Sequence, residues 1–189
     1  MKKCVAGIWL LLMSASLAVG IQRAGEWIKY SSPEGRYSVS LPAEPKLATQ
    51  EATTADGQKF AQYLASVVEL GDVVFIVGYF ETVPGTIFSA DAARDGMVKQ
   101  INGTLISETA ISLGGYPGRE LKVLTTPAPA QPAEGTKPAE GVEYMVRARF
   151  YEVEKRVYVL QFILPKSLEG DALNSKATKY FDSFQVVKN

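Results

Sequence analysis

The sequence predicts an α+β domain: a mainly antiparallel sheet with a helix on each face, an αβα sandwich. Three observations predict it. The segments VVFIVGYF (73–80) and VYVLQFIL (157–164) are apolar at every position instead of alternating, so both sides of those strands are expected to be covered. The connections between strands are too short for the crossovers that a parallel sheet needs. Two segments carry apolar residues at helical spacing and can serve as the covers.

The chain opens MKKCVAGIWLLLMSASLAVG, in which two lysines precede an apolar run and then small residues. This is the layout of a secretory signal, with cleavage expected after Gly20. An uncleaved membrane anchor is the competing reading, because Cys4 to Ile21 is nearly free of charge and about 18 residues is the lower limit for a span. Residues 21–189 then form a single domain, and its expected location is extracytoplasmic, periplasmic or secreted.

Ser32-Pro33-Glu34-Gly35 reads as a type I turn, with proline pre-set at the second position and glycine free to take positive φ at the fourth. Behind it Tyr37, Val39 and Leu41 alternate with Arg36, Ser38 and Ser40, a half-buried strand that Pro42 ends. Lys59–Glu69 and Asp72–Phe80 form a hairpin across Leu70-Gly71-Asp72. Ser89 is placed to cap a first helix, with Ala90, Ala93, Met97, Val98, Ile101 and Leu105 on one side and Asn102-Gly103 as its stop. Asp91 suits the N-terminal end of that helix.

Leu105–Ser112 and Arg119–Leu124 flank the glycine-rich loop of a second hairpin. Residues 125–141 follow, rich in proline and alanine with PAEG twice, and are expected to form an extended loop in which a docking motif is the minority reading. After a strand over Val142–Glu152 and another over Val157–Leu164 comes a second helix from about Ser167 to Phe184, with Leu173, Ala177, Phe181 and Phe184 as its apolar stripe.

Several segments considered together, WIKYSSPEGRYSVSLPAEPK, ISLGGYPGREL, RARFYEVEKRVYVLQF and YFDSF, resemble bacterial exported proteins of the PsbP-like superfamily. That αβα fold is shared by the photosystem II extrinsic subunit and a small eukaryotic Ran-binding factor. The resemblance implies export and a binding or assembly role without catalysis. It transfers no site residue, since no motif for photosystem, manganese or Ran binding is matched.

Composition narrows the chemistry. The chain has no histidine, and its one cysteine, Cys4, lies in the expected signal. No imidazole base, thiol nucleophile, or Cys/His metal or haem site is therefore expected in the processed chain, and no cofactor. The 20 basic and 20 acidic residues balance, which argues against nucleic acid or an anionic membrane as partner.

Glu34, Glu81, Asp91, Asp95, Glu108 and Glu120 leave carboxylate-based hydrolysis or elimination as a remote alternative. A carrier role for a small apolar ligand would need a cavity lined by Phe75, Tyr79, Phe162 and Phe181. The favoured reading is a protein-binding accessory factor, and the row Arg147, Arg149 and Tyr151 is a candidate for its partner face, on the assumption that Val146, Ala148 and Phe150 face the core and the alternate residues face out. Arginine and tyrosine are residues that interfaces favour. The bland reading of that row is a solvated face or one beneath the second helix, with Arg147 and Arg149 paired to Glu143 or Glu120 for little net energy.

Overall fold

The computed structural model describes residues 3–5, 27–53, 57–69, 72–126 and 141–187. Seven strands build the main sheet: β4 (Lys46–Thr53), β5 (Lys59–Glu69), β6 (Val73–Glu81), β8 (Gly103–Leu113), β9 (Tyr116–Thr125), β10 (Tyr144–Val153) and β11 (Arg156–Pro165). They run in the spatial order β4-β5-β6-β11-β10-β9-β8, and every neighbouring pair is antiparallel. A second sheet joins β2 (Ile28–Ser32), β3 (Tyr37–Leu41) and β12 (Gln185–Val186), while β1 (Lys3–Val5) pairs in parallel with β7 (Thr86–Phe88). Among the described residues two α-helices, α1 (Ala90–Gln100) and α2 (Asp171–Asp182), join an α+β fold dominated by antiparallel strands.

The unbroken apolar strands find their explanation in two separate cores. Along β11, Tyr158, Leu160, Phe162 and Leu164 join one cluster with Ala177, Tyr180 and Phe181 of α2. Val157, Val159 and Ile163, the alternate residues, join another with Ala93 and Met97 of α1. Successive side chains of a strand point to opposite sides, so a strand with a core on each side needs apolar residues throughout.

Ser89 caps α1 as expected, its hydroxyl accepting from the Ala92 amide. The helix ends at Gln100 and Asn102 turns to φ 49°, so Leu105 belongs to β8 and not to the helix stripe. α2 starts at Asp171, later than the spacing suggests. Lys166–Leu168 forms a separate 3₁₀ turn, and Glu169 is extended before Gly170 caps the helix.

The opening turn also differs in its cause. The left-handed residue is Arg36, at φ 52°, not Gly35. Gly35 is required for space, since a Cβ there would lie 2.6 Å from the Tyr37 ring and 2.7 Å from the Ser32 Oγ. β3 sits in the middle of the small sheet, where Ser38 is buried along with Tyr37, Val39 and Leu41. The strand is therefore more deeply buried than its alternation suggests.

Most of the expected signal, residues 6–20, lies outside the described residues, as do Leu70-Gly71 and residues 127–140 of the proline-rich segment. Among the described residues, no helix is long and apolar enough to cross a membrane.

Candidate interaction surface

The row read as outward-facing on β10 is enclosed. Met145 and Tyr151 are buried in the α2 cluster, with Tyr151 only 3% exposed, while Val146, Ala148 and Phe150 are buried in the α1 cluster. Both sides of β10 are thus core, and Tyr151 is no free anchor: it stacks on Phe184 at 5.9 Å. The two arginines lie under α2, their guanidinium carbons 5.4 Å (Arg147) and 4.8 Å (Arg149) from the Phe181 ring centre.

Glu120, on β9, satisfies both arginines. Arg147 Nη2 donates to its Oε1 at 2.8 Å and Arg149 Nε to its Oε2 at 2.6 Å, and Arg149 Nη1 reaches Asp182 at the end of α2 at 3.0 Å. Burial pushes the Glu120 carboxyl up, but the hydrogen bonds from the two arginines outweigh it and hold the group below its ordinary 4.5. The arrangement is a clamp that fastens α2 to the sheet, with cations over an aromatic face adding to it.

The other candidate carboxylates are engaged in a similar way. Glu81 pairs with Arg156. Asp91, Asp95 and Glu108 share Arg94, and Arg119 also bonds Glu108 at 2.7 Å. Glu34 contributes its carbonyl, which accepts from Arg156 at 2.9 Å. The rings proposed to line a ligand cavity lie in one core, Phe75 being 5.0 Å from Phe162 and 5.4 Å from Tyr180, which in turn is 5.1 Å from Phe181. Among the described residues no group of three or more acidic, histidine or cysteine residues is placed to hold a metal.

Strand register brings together a set of residues that local spacing does not reveal. Tyr63 on β5 lies opposite Tyr79 on β6, Tyr79 opposite Tyr158 on β11, and Tyr158 opposite Tyr151 on β10. Four tyrosines therefore form one row across four neighbouring strands, on the same side of the sheet. The row continues to Gly118 on β9, where a Cβ would lie 2.6 Å from the Tyr151 ring. Tyr37 and Phe184 pack over it, and Tyr158 Oη donates to the Gly35 carbonyl at 2.8 Å, which ties the row to the opening turn. Burial raises the phenol pKa values of Tyr79, Tyr151 and Tyr158, so these rings stay neutral.

The outer end of this row reaches the surface. Tyr63 stacks on Tyr79 with ring centres 4.9 Å apart and planes at 17°, and Tyr79 carries the Arg156 guanidinium at 4.7 Å. Tyr63 itself is 42% exposed. Leu47 on β4 opposes Ala65, two residues along from Tyr63 on the same side, and is 67% exposed. A rigidly backed aromatic ring beside an open aliphatic side chain is thus presented near one edge of the sheet.

No family model and no curated protein sequence matches the chain. Solved structures do. The cyanobacterial PsbP of Synechocystis aligns with a TM-score of 0.57 at 14% identity, over 90% of this chain and 98% of that one. A Bacteroides thetaiotaomicron protein aligns at TM-score 0.46 and 16% identity over 85% of this chain, which spans about half (48%) of that longer protein. A Pseudomonas aeruginosa protein of unknown function aligns at 0.32 and 13%. At these identities the likeness to the Synechocystis protein shows shared architecture, and the chain has a PsbP-like fold.

Proposed function

We propose that this chain is an exported accessory protein without catalytic activity, which binds another protein through the β4–β5 surface around Tyr63 and Leu47. The observation that carries the reading is the in-register tyrosine row: it fixes Tyr63 against Tyr79 while leaving it open to a partner. Aromatic side chains supply a large share of interface energy, and one already held in place loses little freedom on binding. Arg147 and Arg149 act structurally in this reading.

The finer architecture belongs to the same proposal. It is an αβα sandwich in which α1 and α2 cover opposite sides of the main sheet, consistent with the division of the core into two clusters. Export rests on the lysine, apolar and small-residue order of residues 1–20. The Lys3–Val5 pairing with β7 then belongs to the uncleaved chain only.

The test is capture of partners by the tagged, exported protein in its native host. Tyr63→Ser combined with Leu47→Ser should abolish the captured partner while the circular dichroism melt stays close to wild type, because both side chains are exposed. An unchanged partner on a folded double variant contradicts the assignment.

A further inference from the structure

The two edges of the main sheet are built differently. β4 carries exposed Lys46 and Glu51 along its edge and follows Pro45, the kinds of device that keep an edge from pairing with another chain. β8 lacks them. Over eleven residues, GTLISETAISL, it has neither lysine nor proline, and its outer side pairs with no strand among the described residues. Leu105 and Ile106 are exposed, the latter at 51%, and so are Ser107, Thr109, Ala110 and Ser112. One irregularity interrupts the ladder, between Leu105 and Ser107, which leaves Ser107–Leu113 as a regular strand.

We propose that β8 pairs with β8 of a second copy of this chain, antiparallel about a two-fold axis. Charge favours this occupant. Glu108 is the single ionisable residue of the strand, and Arg94 and Arg119 of its own chain already neutralise it, at 2.8 and 2.7 Å. Two copies therefore bring no unpaired charge of the strand against each other. A pairing centred on Ala110 sets Ala110 against itself, Thr109 against Ile111 and Glu108 against Ser112, so no like charges face each other. The same patch meets itself, which closes the assembly at two chains, whereas β8 adding to the guarded β4 would propagate into a filament. The seven-stranded sheets become one continuous sheet, with both Tyr63 surfaces at its far ends.

Light scattering coupled to size exclusion, run on the purified protein across a range of concentrations, should give a mass of two chains that falls to one on dilution. Thr109→Lys with Ala110→Lys should give one chain at every concentration, and Tyr63→Ser with Leu47→Ser should leave the dimer intact. Hydrogen exchange on the wild-type protein supplies a readout independent of any variant: the Ser107–Leu113 amides should become more protected as concentration rises. A one-chain mass throughout, a dimer that survives the lysine pair, or β8 amides protected only in a complex with a different protein would each overturn the proposal.

Discussion

A methyl group at position 35 would lie 2.6 Å from the Tyr37 ring and 2.7 Å from the Ser32 hydroxyl that accepts the Gly35 amide, so neither neighbour can move without losing a contact. Gly35→Ala is expected to destabilise the fold by about 1–3 kcal/mol, the usual range for overpacking, measured by urea unfolding. Gln161 tests the opposite sign. It is 1% exposed and shares the side of β11 that carries Val159 and Ile163, where neither its amide nitrogen nor its oxygen has a hydrogen-bond partner. Gln161→Met keeps the volume and removes the desolvated amide, and is expected to raise stability by about 1–3 kcal/mol. A loss of that size would mean that a buried water or other group satisfies the amide in solution.

Among the elements, the junction of β9, β10 and α2 yields a pH dependence. The Glu120 carboxyl has a folded pKa below its ordinary 4.5, so its contribution is complete above about 4.5 and is lost as pH falls through the depressed value. Glu120→Gln should therefore lower the thermal midpoint at neutral pH, and its midpoint should fall less steeply than that of wild type between pH 5 and 3. Parallel pH profiles would show that the clamp contributes nothing through its charge.

The same junction shows how far local pattern reaches. Uninterrupted apolar runs announced β6 and β11, and Ser89 with Asn102-Gly103 announced the ends of α1, because those signals are short-range. β10 was legible as a strand but not in its surroundings. From the sequence its arginines suit either an exposed face or one beneath the second helix, and the position of Phe181 and Glu120 in space decides for the second, with their stems under the helix and their charges met. β4, with its small and polar residues, gives almost no periodic signal. The tyrosine row was invisible for a further reason: Tyr63, Tyr79, Tyr151 and Tyr158 become neighbours only through strand register, which long-range pairing decides.

At the scale of the whole molecule, the chain has a PsbP-like fold, to which the proposed function adds export and a surface for a protein partner. Mass spectrometry of the protein released by its host should find an N-terminus near Ile21, and an intact Met1 in the membrane fraction would contradict export. The central claim is the location of the partner surface, and hydroxyl-radical footprinting of the captured complex against the free protein tests it most directly. Tyr63 and Leu47 should lose reactivity on binding while exposed Leu168 and Val187 keep theirs. Protection that leaves Tyr63 and Leu47 as reactive as in the free protein would contradict it.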